Sequence, residues 1–422
     1  MADDNLNRSI LYRRLAIAGD AFSPSAPIER MTLFAGRDNQ ISRCIDIAYR
    51  RGQHAILFGE RGVGKTSLAN LIADFMAESD EPPDALPRFV TPRVNCTASS
   101  DYDSIWREIF RRVSRVERTK AGASIGDYSQ GLPNRKLDPG IVQHLLEGIA
   151  VQQSLIIVID EFNELHDTKA RRLMADTLKT LSDHSVGVTI FLVGVADTVD
   201  QLIADHQSVA RAMMQIQMPR MTDDEIKEIV EKGLQRFNLV NDDFQLHATD
   251  QASNFIIMLA RGLPHYAHLL AQKACYAAIQ DEQSEITYDH ILRGMIPAIE
   301  DSRQSTLSSY DTAVYSAHKN ATLCETLTAC ALAEPDRLGC FAPSDLLRPL
   351  SRIRKKSIQI ASFTNHLAEF CEPKRACVLE KKGDKHRVRY RFTDPLMGPL
   401  VIIRAVVEGR IDPATLNEKA AN

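Results

Sequence analysis

His54-Ala55-Ile56-Leu57-Phe58-Gly59-Glu60-Arg61-Gly62-Val63-Gly64-Lys65-Thr66-Ser67-Leu68-Ala69-Asn70 is the stretch that decides the fold. His54 to Phe58 reads as a short buried strand. Gly59 to Thr66 spells G-x-x-x-x-G-K-[ST], and Ser67 onward continues as a helix. The pattern therefore stands in the setting its chemistry needs, after a strand and before a helix. Glycines let the backbone curl until successive N–H groups face one anion. The helix N-terminus adds unpaired N–H groups and the positive end of its dipole. Gly59, Glu60, Arg61, Gly62, Val63, Gly64, Lys65, Thr66 and Ser67 are thus candidate phosphate-binding residues. Lys65 can reach the outer phosphates and Thr66 can offer its hydroxyl to Mg²⁺.

The second signal lies about 90 residues on. Ser154-Leu155-Ile156-Ile157-Val158-Ile159 is apolar without alternation, as a strand buried on both faces of a parallel sheet requires. It ends on Asp160-Glu161, at the strand's C-terminal edge, where open α/β sheets bind ligands. Asp160 is the candidate metal ligand, together with Thr66. Glu161 is placed to orient and polarise an attacking water.

The 422 residues are 44% hydrophobic and 25% charged, an ordinary globular balance with room for two or three domains. A net charge of −4 excludes a nucleic-acid polycation. No apolar run reaches the roughly 18 residues of a membrane span, and the acidic N-terminus has no signal-peptide core behind it. The expected location is the cytoplasm, with no membrane partner. The eight cysteines include no C-x-x-C pair and read mostly as small buried apolar residues.

An N-terminal helix (about 6–18) and a Pro/Ser loop precede Leu33-Phe34-Ala35-Gly36-Arg37. Two readings stand for Phe34 and Arg37: lining an adenine pocket, or a packing loop with a solvated arginine. Phe89 to Cys96 reads as the second strand, interrupted by Pro92. Asp103 to Val116 reads as a helix with Trp106 in its core face. Val186 to Gly194 is another strand, and Asp197 and Thr198 beyond it are candidates to sense a γ-phosphate or to cap the next helix. Arg211 precedes a further short strand ending at Met218. From there it can reach a neighbouring subunit's γ-phosphate, or it is a surface arginine. Thr222 and Glu225 spell a capping box. Four helices run from there to Glu300, a small helical lid.

Together these residues resemble the AAA+ ATPases, in the branch of origin-recognition and initiator ATPases and signal-transduction ATPases (STAND). The resemblance covers residues 28–300. It is carried by Phe34-Ala35-Gly36-Arg37, the phosphate loop, Ile159-Asp160-Glu161, Arg211 and the lid. It implies ATP and Mg²⁺ as ligands and a homo-oligomer with Arg211 acting in trans as an arginine finger. In that family a lid arginine commonly touches the γ-phosphate. Here His265 stands at that place; Arg261 is the candidate substitute, and a cap for the turn is the other reading of His265.

Beyond a polar linker (301–320), three helical stretches, 322–333, 344–350 and 358–370, lead to a hairpin with Arg387, Arg389 and Arg391 on one face. That order is the one of a winged helix, which comes after the ATPase in many initiator-like and STAND proteins. Residues 321–410 carry about six net positive charges. The basic residues cluster at Arg352–Lys356 and in the hairpin, so duplex DNA is a candidate partner, with protein contact as the competing use.

The expected architecture is α/β: residues 1–27 an N-terminal helix and loop, 28–218 a P-loop NTPase core with a parallel sheet, 219–300 a helical lid, 301–320 a linker, 321–412 a winged helix, 413–422 a tail. The expected function is hydrolysis of Mg·ATP as a conformational or assembly switch. The alternatives are an ATP-gated DNA-binding platform with slow hydrolysis, and a regulatory ATPase of a multi-protein defence system with a separate protein effector. Glu161, Lys65 and Arg211 carry the catalytic roles.

Overall fold

The computed structural model describes residues 2–24, 31–77, 89–121, 132–151, 153–196, 213–316, 322–336, 339–383 and 387–414. Helices α1 (Ala2–Ala21) and α2 (Asp38–Ala48) precede β1 (His54–Gly59) and α3 (Lys65–Ala77). Two short strands, β2 (Phe89–Val90) and β3 (Arg93–Asn95), take the place of the single strand expected from Phe89 to Cys96. Pro92 has no N–H for the ladder and splits it. Then come α4 (Tyr102–Ala121), α5 (Pro139–Ala150), β4 (Ser154–Asp160), α6 (Thr168–Asp183), β5 (Val188–Val195) and β6 (Met213–Gln217).

These strands form one parallel sheet in the order β2-β4-β5-β1-β6, with β3 also paired to β4. The two strands that carry the sequence motifs, β1 and β4, flank β5. Because all run the same way, the loop after Gly59 and the carboxylates after Ile159 emerge at one edge. Strand alternation divides the packing. Ala55 and Leu57 face one core, with α3; Ile56 and Phe58 face the other, with Trp106 and Phe110 of α4.

The lid comprises α7 (Asp223–Val240), a two-residue parallel pair β7 (His247–Ala248) and β8 (Glu285–Ile286), α8 (Asp250–Ala260), α9 (Pro264–Gln280) and α10 (Tyr288–Glu300). The Thr222/Glu225 capping box forms as its sequence specifies, with reciprocal bonds of 2.8 and 3.3 Å. Helix α11 (Gln304–Val314) occupies the stretch read as a linker. After it come α12 (Leu323–Leu332), α13 (Leu347–Arg354), α14 (Thr364–Phe370), the antiparallel hairpin β9 (Leu379–Lys382) and β10 (Arg389–Phe392), and α15 (Met397–Val407). Helix α14 is shorter than the 358–370 stretch expected; its first part is a separate 3₁₀ turn at Ile360–Ser362.

Lid and C-terminal helices are not two beads on a string. Leu259 and Leu270 of the lid belong to the same core as Leu327, Leu400 and Ile403. The Tyr266 hydroxyl, buried inside it, donates to the Leu396 carbonyl at 2.9 Å. Among the described residues no helix is long and apolar enough to cross a membrane.

Of the buried histidines, burial pushes the pKa of His54 on β1 and His268 on α9 down to about 4. Unfolded histidines bind protons near about 6.5. Between about pH 4 and 6.5 the unfolded chain therefore holds more protons, and stability rises with pH across that window. The expected outcome is a urea midpoint that falls from about pH 7 to about pH 5. Over the same range the imidazole proton resonances of His54 and His268 stay unshifted.

Candidate active site

The phosphate loop owes its shape to three glycines at positive φ: Gly59 (151°), Gly62 (84°) and Gly64 (94°). Gly59 is fixed by contact as well, since a Cβ there would meet the Met218 carbonyl oxygen at 2.3 Å. Helix α3 begins on Lys65, so its first N–H groups open onto the loop. The Lys65 side chain is buried, and its Nζ donates to the carbonyls of Gly59 (3.1 Å) and Glu60 (2.6 Å). Burial lowers its pKa to about 8, against the opposing pull of Glu161, Asp160 and Glu60. The lysine and the carboxylate pair thus share one mouth of the sheet.

Asp160 is 6% exposed and accepts the Glu161 N–H at 2.7 Å. Glu161 is exposed and held in the left-handed region at φ 51°. A non-glycine residue is strained in that conformation, and such strain concentrates at functional positions. Next to it, Asn163 accepts the Val195 N–H at 2.8 Å, tying this turn to the end of β5.

A pocket of about 260 Å³ joins these parts. Arg61 to Ser67, Asp160, Glu161, Phe34, Arg37 and His265 all line it, so residues spread over 230 positions of sequence meet as expected. The structure refines two of the expected roles. Arg37 is no solvated arginine: it is 3% exposed, and its Nη2 donates to the carbonyls of Pro219 (2.6 Å) and Val63 (3.3 Å). It clamps the phosphate loop to the start of the lid. His265 faces the pocket, with Nδ1 2.7 Å from the Pro24 carbonyl. A carbonyl only accepts, so Nδ1 carries the proton; burial lowers the pKa of this ring, which favours the neutral form.

Other expectations are corrected. The Glu60 side chain turns away from the pocket to an ion pair with Arg220 (2.7 Å). Arg261 does not substitute for His265: it lines a different cleft, and its guanidinium donates to the Ala333 carbonyl. Two of the three hairpin arginines are engaged, Arg389 with Asp336 (2.7 Å) and Arg391 with Glu380. The hairpin itself borders a cleft of about 620 Å³ shared with Glu60, Glu161 and Asn163. Arg211, and Asp197 and Thr198, lie outside the described residues.

Sequence reasoning missed several residues at the site. Arg303 and Leu396 line the pocket from beyond the lid, and the Leu396 side chain packs where a Cβ on Gly62 would come within 3.3 Å. Arg220 pairs with Glu60 and also donates to the Arg261 carbonyl at 3.3 Å. Gly339, from the C-terminal half, closes on the same carboxylate so tightly that a Cβ would overlap it. None stands in a motif. The signal available was the placement of Arg220 between the last strand and the capping box.

Residues 48–202 match the family model described as AAA domain. That stretch is an AAA domain. It contains the phosphate loop and the Asp160-Glu161 pair. Among solved structures, a Walker-type ATPase of Pyrococcus abyssi is similar in fold, with 14% identity and a TM-score of 0.54 over 89% of this chain and 98% of that chain. The Aeropyrum pernix ORC2 protein, solved in ADPNP–ADP complexes, aligns at 14% identity and TM-score 0.49 over 96% and 98%. The ORC1 protein of the same organism, solved in complex with DNA, aligns at 14% and 0.45 over 92% and 97%. No curated protein matches the chain.

Two outcomes are expected at this site. Arg220→Ala leaves the Glu60 carboxylate buried without its cation, and urea unfolding will show a loss of about 3 kcal/mol. A polyphosphate brought to Lys65 raises its pKa again. Calorimetry at about pH 8.5, in buffers of different ionisation enthalpy, will therefore register net proton uptake on binding.

Proposed function

We propose that this chain binds and hydrolyses Mg·ATP as a conformational switch. The observation that carries the reading is the membership of one pocket. The phosphate loop, the acid pair, the lid (His265) and the segments beyond it (Arg303, Leu396) all line it. A ligand there touches every part of the chain at once, and the relative energies of those contacts set the arrangement of the parts.

The residues fit a triphosphate and a divalent cation. A buried lysine that directs its protons at two loop carbonyls has those bonds to exchange for phosphate oxygens. Asp160 is buried with no ion pair among the described residues, a cost that a bound cation offsets. Thr66 and Asp160 would hold Mg²⁺, which supplies positive charge to phosphate oxygens and the leaving group. Gly59 to Ser67 would hold the phosphates through backbone N–H groups. Glu161, outside the metal set and exposed, would accept a proton from the attacking water and orient it. Phe34 offers a ring to the base, and His265 a neutral imidazole in place of a cation.

Arg211 is proposed to act in trans within a homo-oligomer. The domain limits given above, the winged-helix reading of residues 321–412 and a cytoplasmic location belong to the same proposal. An ATP-gated DNA platform draws less support: Arg389 and Arg391 are ion-paired, and the hairpin borders the nucleotide mouth.

In Glu161→Gln, Mg·ATP affinity is expected to stay within about threefold while turnover falls at least about 100-fold. Lys65→Ala is expected to lose binding itself. Specific activity of the wild type should rise with protein concentration, and Arg211→Ala should abolish that rise. Retained turnover in Glu161→Gln would remove the assignment of the base.

A further inference from the structure

A second concavity lies apart from the pocket that holds the phosphate loop. A cleft of about 650 Å³ lies between the lid and the C-terminal helices, on the far side of Arg261. Its floor is apolar, with Met258 of α8 and Ile402 of α15 among its residues. Its rim is basic. Arg348 and Arg352 stand at positions i and i+4 of α13 and share one face, Lys355 caps the helix's C-terminus, and all three line the cleft. They are exposed, and none makes an ion pair among the described residues.

Two backbone details set this rim apart. Helix α8 ends on Arg261 and α13 ends on Lys355, both in the left-handed conformation, at φ 53° and 51°. Glycine is the residue that adopts this helix end without steric cost. The chain instead places a cation at both ends, and both cations line the cleft. Arg261 donates to the Ala333 carbonyl and lies within the field of Glu334 and Asp223, whereas Lys355 makes no ion pair among the described residues.

We propose that this cleft is a second ligand site, for a small anion that carries an apolar or aromatic body. The volume falls within the roughly 300–1,000 Å³ of small-molecule sites, which join apolar walls to a few convergent polar groups. The arginines supply the planar donors that recognise carboxylate, sulfonate or phosphate oxygens. Glu334, Asp345 and Asp412 also line the cleft, and their charge opposes the approach of a polyanionic duplex while tolerating one compact anion that docks on α13. Arg410 is already engaged by Glu408 and Tyr310, so the discrimination falls to Arg348, Arg352 and Lys355.

The probe is 8-anilinonaphthalene-1-sulfonate, an anion on an aromatic body, titrated into the full chain in saturating Mg·ADP. One saturable binding event is expected. Its affinity should fall at least tenfold in the Arg348→Glu/Arg352→Glu double variant, whose changes lie at exposed positions and leave the core intact. The uncharged N-phenyl-1-naphthylamine should bind at least tenfold more weakly than the sulfonate and equally in both proteins. Equal sulfonate affinity in the double variant would overturn the proposal. A binding event seen without Mg·ADP and lost at saturating Mg·ADP would assign the probe to the nucleotide pocket instead, and displacement by a 20-base-pair duplex would make the rim a nucleic-acid surface. Either result ends the reading.

Discussion

A buried ammonium facing a carboxylate pair across the mouth of a parallel sheet is the arrangement on which this molecule turns. Lys65 is held by two carbonyls of its own loop, and burial works against its charge while Glu161 and Asp160 work for it. Such a balance exists only because three glycines bend the loop back over the start of α3. It also needs β1 and β4 to run parallel, with one strand between them. Reversing either strand would separate the charges by the length of the sheet.

Around that mouth the chain is cross-tied rather than appended. Glu225 does two jobs with one carboxylate: it caps its own helix through Thr222 and accepts the Arg37 N–H at 3.0 Å. Arg37 in turn holds Val63 of the loop and Pro219 at the lid's root. Glu60 and Arg220 form a second tie, closed on one side by Gly339 of the C-terminal half. Buried pairs of this kind add little net stability, but removing one partner is costly. They therefore fix geometry more than they raise stability. The lid and C-terminal helices share a core, so a change at the loop meets a packed body, not a loose tail.

Much of this was legible in the residue order. The glycine spacing, the unalternating apolar run before Asp160-Glu161 and the Thr222/Glu225 box are local patterns, set by backbone conformation and period over a few residues. The pocket holds the expected residues whose placement is described, apart from Gly59 and Glu60, which border the adjoining cleft, and Arg261, which lines another. Arg37 was legible as a candidate, but not its bonding: whether an arginine is solvated or buried depends on which carbonyls arrive beside it. The split strand at Pro92 and the short α14 show the reverse, local breaks that a pattern read over longer windows smooths over.

The sequence by itself determined the anion cradle, the acid pair and the helical character of the lid, because each is encoded within one turn, one strand or one helical period. Tertiary structure alone decided that Glu60 turns to Arg220, that Arg303 and Leu396 reach the same pocket as the phosphate loop, and that the basic face of α13 looks into a cleft. Those are contacts between residues up to about 330 positions apart. Nothing in either partner's neighbours marks them, since they arise from how amphipathic helices bury their apolar faces together and carry their polar residues along.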